Sequence, residues 1–199
     1  MQTEVEAKFL NVNYEEIRAK LKKLGAVCEQ PMRLMIRNNF DYPDRRLEKV
    51  GGWIRIRDES GKITLSYKQL NDRTLHGTKE VNLVVDDFQK ATDFLKAIGL
   101  RLDNYQETKR ESWRLDEVEV ELDEWPWIKP FVELEGHSEE DIKKVAEKLN
   151  LDWSRAIHGS VENAYQAEYN VTEAEVDSIA EIKFVAVPEW LERRRRKTA

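Results

Sequence analysis

Val118-Glu119-Val120-Glu121-Leu122-Asp123 alternates apolar and acidic side chains without a break. A period of two is a strand signature that sends carboxylates to one face and aliphatic groups to the other. The pattern recurs in Glu4 to Leu10, Arg33 to Phe40, Trp53 to Arg57, Thr64 to Lys68, Glu80 to Val85 and Phe131 to Glu135, and less regularly in Arg110 to Leu115. Each of these eight candidate strands must bury one face while carrying charge on the other.

Helices separate the strands. Tyr14, Ile17, Leu21 and Leu24 recur at helical spacing behind a capping Asn13, and Gly25 ends the run. A second helix spans about Asp87 to Ile98, with Phe88, Ala91, Leu95 and Ile98 as its apolar stripe. A third begins at Ser138-Glu139-Glu140-Asp141, a capping-box sequence, and runs to about Leu149. The order is strand, helix, four strands, helix, three strands, helix, an α+β arrangement with a weak suggestion of internal duplication. The short loops give no linker between separate domains.

The charged faces add up. The acids opposite apolar positions are Glu4, Glu6, Glu80, Glu119, Glu121, Asp123, Glu133 and Glu135; the bases are Lys8, Arg33, Arg37, Arg55, Arg57, Lys68, Arg110 and Arg114. Two architectures accommodate them. An open sheet would expose the charged face to water. A closed antiparallel barrel would line its lumen with charge and pack its apolar outside on the helices. Closure removes exposed edges, and eight strands match a small barrel, so the closed form is expected.

The bases include six arginines, whose planar fork suits phosphate oxygens. Carboxylates beside them would repel a polyphosphate unless a divalent cation bridged the two, and hard carboxylate oxygens suit Mg²⁺ or Mn²⁺. No Gly-rich phosphate loop is present, which excludes a P-loop mechanism. The net charge of −6 disfavours wholesale nucleic-acid binding. Cys28 is the single cysteine, so no intramolecular disulfide forms. No leader pattern and no apolar run of membrane-spanning length is visible, and the expected location is cytoplasmic. His76, His137 and His158 show no ligand spacing and are read as loop or surface residues.

Glu4-x-Glu6-x-Lys8 resembles the ExExK signature of the CYTH superfamily, the triphosphate tunnel metalloenzymes. Arg55-Ile56-Arg57, Lys68, Glu80, Arg110, Asp123 and Glu133-Leu134-Glu135 follow in the family's order and spacing. The resemblance implies an eight-stranded antiparallel closed barrel, a tunnel with helices packed outside, over residues 1–170. Residues 171–199 would form a C-terminal extension. By position, it implies that Glu4, Glu6, Glu133 and Glu135, assisted by Asp123, hold Mg²⁺ or Mn²⁺. Lys8, Arg55, Arg57, Lys68 and Arg110 would hold the triphosphate, with Arg37 and Arg114 added by strand parity. No catalytic base is assigned.

Several positions depart from the family pattern. Thr108 stands where a lysine is common, Thr78 and Lys79 stand where an arginine often precedes the matched glutamate, and Trp125 to Pro130 lacks the usual glycine. Tyr165 follows Ala164 where a Ser-Tyr pair is frequent. The family implies a metal-dependent triphosphatase acting on inorganic triphosphate or a nucleoside or organic triphosphate. One alternative is a class IV adenylyl cyclase making 3′,5′-cyclic AMP and pyrophosphate from ATP. Another is a non-catalytic polyphosphate- or nucleotide-binding module. The absence of the His-Phe pair of some cyclases favours hydrolysis. The expected partner is a triphosphate-bearing small molecule, with no membrane and with room for a homodimer.

The tail reads as an acidic helix over Val171 to Ser178, a short strand over Glu181 to Val187 and a final helix starting at Pro188. The bases Arg193 to Lys197 read as a solvated helix end favoured by the helix dipole, with contact to nucleic acid or acidic lipid as the lesser reading.

Overall fold

A computed structural model of the chain describes residues 2–3, 5–70 and 78–197. Glu4 and His76 lie outside the described residues. In chain order the elements are β1 (Gln2–Thr3), β2 (Val5–Leu10), α1 (Tyr14–Lys23), β3 (Val27–Asp41), β4 (Gly52–Asp58), β5 (Ile63–Leu70), β6 (Thr78–Val85) and α2 (Phe88–Ala97). They continue with β7 (Arg101–Leu115), β8 (Val118–Glu124), β9 (Phe131–Gly136), α3 (Glu139–Lys148), α4 (Glu162–Glu168), α5 (Glu173–Asp177), β10 (Glu181–Ile182) and α6 (Glu189–Glu192).

The local chemistry explains the helix ends. Asn13 Oδ1 accepts from the Glu15 and Glu16 amides at the start of α1, and Asp87 Oδ1 accepts from the Lys90 amide at the start of α2. Gly25 and Gly99 follow these helices at φ +76° and +96°, conformations that cost a β-carbon most. Ser138 caps α3 by accepting from the Asp141 amide at 3.2 Å, but the box is not reciprocal: the Ser138 hydroxyl donates to Asp141 Oδ2 at 2.6 Å. The full capping box belongs instead to α5, between Thr172 and Glu175.

The sheet runs β1-β6-β5-β4-β3-β7-β8-β9-β2, antiparallel throughout, with β10 added parallel to β7. Counting the consecutive β1 and β2 as one strand leaves eight in the antiparallel path. It is a curled half-barrel, and the fully closed barrel expected from the sequence is not formed. Among the described residues β1 meets β6 in two residue pairs, Gln2 with Glu80 and Thr3 with Lys79, while β2 runs its whole length against β9. On its other edge β2 is occupied by the loop at Ile157, which exchanges both backbone hydrogen bonds with Lys8 at 2.9 and 3.0 Å.

The outward faces make the core. Val5, Ala7 and Phe9 of β2, Val118, Val120 and Leu122 of β8, and Val132 and Leu134 of β9 pack against Ile17 and Leu21 of α1 and Ile142, Val145 and Ala146 of α3. Each such aliphatic side chain contributes roughly 1.5–3 kcal/mol when fully buried. Phe40 and Ile56 pack beneath Leu95 of α2 in a second cluster. A third joins Trp125, Phe131, Tyr165 and Tyr169 to Val171, Val176, Ile182 and Leu191, so residues after 170 pack on one end of the curled sheet. Among the described residues no helix is long and apolar enough to cross a membrane.

The tail is shorter in regular structure than its sequence suggests. The acidic helix is confined to α5, the strand to the two residues of β10, and the final helix to the four residues of α6. The basic run starts at the C-cap of α6 with its residues exposed, as in a solvated helix end, but it is also tied down locally. It folds back: Arg194 pairs with Glu175, Arg195 donates to Tyr169 Oη and Glu192, and the Arg196 amide donates to the Glu168 carbonyl.

Candidate functional site

Strand register builds the site as rungs across the concave face. Lys8 lies opposite Glu133, Glu133 opposite Glu121, and Glu121 opposite Ser112. One rung away, Glu6 lies opposite Glu135, Glu135 opposite Glu119, and Glu119 opposite Arg114. Across the other half of the sheet, Arg37 lies opposite Arg57, Arg57 opposite Thr64, and Lys68 opposite Glu80. The period-two alternation of each strand thus becomes an acid-rich wall facing an arginine-rich wall.

One cavity of about 1380 Å³ collects these groups. Glu6, Lys8, Arg37, Arg55, Arg57, Lys68, Arg110, Arg114, Glu133 and Glu135, all singled out in the sequence, line it. Asp123 does not. It is 1 % exposed, and its two oxygens take Arg110 Nε and Nη2 at 2.7 and 2.6 Å. Arg114 sits at the rim, held by Glu29 at 3.0 Å and Glu119 at 2.7 Å.

The acid wall is internally braced. Lys8 Nζ donates to Glu6 Oε1 at 3.1 Å and to the Gly159 carbonyl at 2.7 Å, and lies 3.2 Å from Glu133 Oε2. Burial alone would lower the Lys8 pKa, but Glu133 and Glu6 outweigh it and hold the ammonium above its ordinary range. Burial pushes the Glu133 carboxyl up, yet Lys8, Arg110 and Lys68 together hold it below the usual carboxylate range. Glu135 has only Lys68 to relieve it. Burial first, then Glu133, Glu6 and Glu119, push its carboxyl up to about 7. Glu121 is likewise raised to about 7, chiefly by burial, and its Oε2 is buried without a hydrogen bond.

On the basic wall, Arg55 Nη2 donates to Glu80 Oε1 at 3.2 Å, and Lys68 lies 3.3 Å from Glu80 Oε2. Glu59, just beyond β4, turns into the cavity, pairing with Arg57 and lying 3.7 Å from Arg33. Arg37 is 8 % exposed and stands beside Arg55, Arg57 and Arg110. Burial first, then these three cations, lower its pKa well below the ordinary arginine value, and Asp123 opposes them only in part.

Glu59 lies one residue past the end of β4, outside the alternating stretch Trp53 to Arg57. Only its parity with Arg55 and Arg57 could have found it. Glu121 shows in the sequence as one more acid on the charged face, and only the register sets it directly against Glu133. His137 lines the cavity, and the His158 ring lies against the Glu6 carbonyl at 3.2 Å.

Among the described residues no three His, Cys, Asp or Glu side chains converge as a preformed metal cage. The donor chemistry nevertheless fits a hard divalent cation. Glu6, Glu119, Glu133 and Glu135 crowd one end of the wall, burial and that crowding raise the Glu135 carboxyl, and Glu121 offers a buried oxygen with no hydrogen bond.

The sequence profile of the CYTH domain matches residues 2–167. A protein of Methanocaldococcus jannaschii provisionally named an adenylate cyclase is 26% identical over 167 residues, covering 77% of this chain and 94% of that one. A Vibrio parahaemolyticus structure with the same provisional name superposes with a TM-score of 0.71 at 17% identity, over 83% of this chain and 98% of that one. A Hippeastrum structure, provisionally named an adenylyl cyclase and described as having a dominant triphosphatase activity, superposes with a TM-score of 0.58 at 14% identity. It covers 90% of this chain and 97% of that one.

Proposed function

Because this chain belongs to the CYTH family, we propose that its curled sheet binds a triphosphate group along the arginine wall and hydrolyses it with a divalent cation seated on the acid wall. The observation that carries this reading is Arg37: a buried guanidinium crowded by Arg55, Arg57 and Arg110, with no carboxylate within 4 Å among the described residues and only the more distant Asp123, already committed to Arg110, to offset them. Such a group is costly unless an anion joins it.

In this reading Arg37, Arg55, Arg57, Lys68 and Arg110 bind the phosphate oxygens, and Arg114 guides them at the rim. Glu6, Glu133 and Glu135, with Glu121 of β8 and with Glu4, which lies outside the described residues, hold Mg²⁺ or Mn²⁺. The cation would neutralise phosphate charge that carboxylates would otherwise repel. Asp123 acts through Arg110, whose fork it fixes. Lys8, tied to Glu6, Glu133 and the Gly159 carbonyl, stands between acid wall and phosphate and orients both. Preorganised cations that meet charge spreading over equatorial oxygens supply most of the rate in such a transfer, with water as the attacking group.

The provisional names of the relatives favour a second reading, in which a ribose 3′-hydroxyl attacks the α-phosphorus and cyclic AMP and pyrophosphate result. One assay separates the two. The protein is incubated with inorganic triphosphate, ATP and thiamine triphosphate, with Mg²⁺ or Mn²⁺, and phosphate, pyrophosphate and cyclic AMP are quantified. Phosphate release supports hydrolysis. Pyrophosphate with equimolar cyclic AMP supports the cyclase. Binding without turnover would leave a non-catalytic module.

A further inference from the structure

Arg37 differs from the other cavity cations in what holds it. Each of the others named above has a carboxylate within 4 Å, whereas Arg37 has none among the described residues. Its partners are neutral. Nη2 donates to Thr108 Oγ1 at 2.8 Å, and the guanidinium carbon lies 4.7 Å from the Trp125 ring centroid. Nε is buried without a hydrogen bond.

Both partners are themselves fixed. Thr108 is 0 % exposed on β7, its Cα paired with Met35 of β3, two residues from Arg37. Trp125 is 7 % exposed and meets Tyr165 edge-on, with ring centroids 6.5 Å apart and planes at 87°. Tyr165 is fully buried, and its hydroxyl donates to the Pro126 carbonyl at 2.9 Å, beside Trp125 in the chain. A hydroxyl and an aromatic face hold a guanidinium without cancelling its charge. A carboxylate in either place would hold it as firmly but leave less attraction for a ligand. A long side chain with no support would lose rotamer entropy on binding, and the clamp removes that loss in advance.

We propose that Thr108 and Trp125 form a charge-free clamp that positions Arg37 as the anchor for phosphate oxygens. The proposal deepens the reading of this cavity as a triphosphate site and rests on it. Thr108 and Trp125 are positioning residues, since they act on the ligand through Arg37.

The test is calorimetric titration of inorganic tripolyphosphate in the presence of chelator, so that no metal enters the readout. Wild type binds. Thr108→Val weakens binding about tenfold, the size expected for one hydrogen bond to a charged group. Thr108→Ser keeps affinity within about twofold, because it keeps the hydroxyl. Trp125→Leu serves as the second variant and also weakens binding. Arg37→Met loses most of the affinity, and adding Thr108→Val to it causes no further loss. Wild-type affinity in Thr108→Val, or an equal further loss on the Arg37→Met background, overturns the clamp while leaving the triphosphate reading intact. Failure of wild type to bind tripolyphosphate in chelator overturns the clamp, and failure to bind it with Mg²⁺ as well overturns both.

Discussion

Arg110 and Asp123 are Cα partners across the β7–β8 ladder, and their side chains close a two-pronged pair at 2.7 and 2.6 Å. The pair aims the guanidinium at the cavity, with Glu133 at 3.6 Å on its other side. Asp123→Asn breaks a buried ion pair on one side and should destabilise the fold by about 3 kcal/mol, measured by urea denaturation. It should leave the Mg²⁺ concentration for half-maximal activity unchanged, whereas Glu121→Gln should raise it. The reverse pattern would return Asp123 to the metal ligands.

Glu59 is an internal carboxylate in the cation row. Burial raises its pKa, but Arg57, Arg110 and Arg33 outweigh this and hold the group ionised. It therefore competes with an incoming phosphate for Arg57 and Arg33. Glu59→Gln should tighten tripolyphosphate binding several-fold at low ionic strength, with the gain shrinking as salt is added. Titration at two salt concentrations reads this directly.

Asp177 of α5 is set near Glu162 of α4; burial first, then Glu162, raises its carboxyl to about 7. A carboxyl whose folded pKa lies above its unfolded value binds more protons in the native state. Its contribution to stability is present below the ordinary carboxylate range and is lost as pH rises through about 7. The melting temperature should fall between pH 5 and pH 8 by more in wild type than in Asp177→Asn. Equal slopes would show that the two carboxylates are not coupled.

The basic run is used internally. Arg195 lies 4.7 Å over the Tyr169 ring, donates to its hydroxyl at 2.7 Å and pairs with Glu192 and Glu168. Arg195→Ala should expose the segment after Pro188 to proteolysis while costing the core only about 1 kcal/mol, since these pairs are partly exposed. Duplex DNA should bind neither form at physiological salt.

Strict alternation made the two-sided strands legible. Glu6 and Lys8, Arg55 and Arg57, and Glu133 and Glu135 all reach the cavity that their parity assigned them. The first halves of β3 and β7 were not legible. Val27 to Met32 contains Pro31, and two register shifts, at Cys28/Gln30 and Gln30/Arg33, break its ladder. Arg101 to Lys109 is largely polar, and much of this stretch is strand because β3 lies beside it. Tertiary pairing of that kind leaves no periodic trace. The sequence placed Arg37 on the charged face, but its distinction among eight bases lies in what it lacks, and only side-chain contacts reveal that.

The central claim is that one acid wall and one arginine wall together turn over a triphosphate. Phosphate release from inorganic triphosphate by wild type and by Glu6→Gln, with and without Mg²⁺ and with melting temperatures recorded alongside, tests it most directly. The account predicts Mg²⁺-dependent release by wild type and none by Glu6→Gln at an unchanged fold. Wild-type turnover in Glu6→Gln, or release by wild type that ignores chelator, would contradict it.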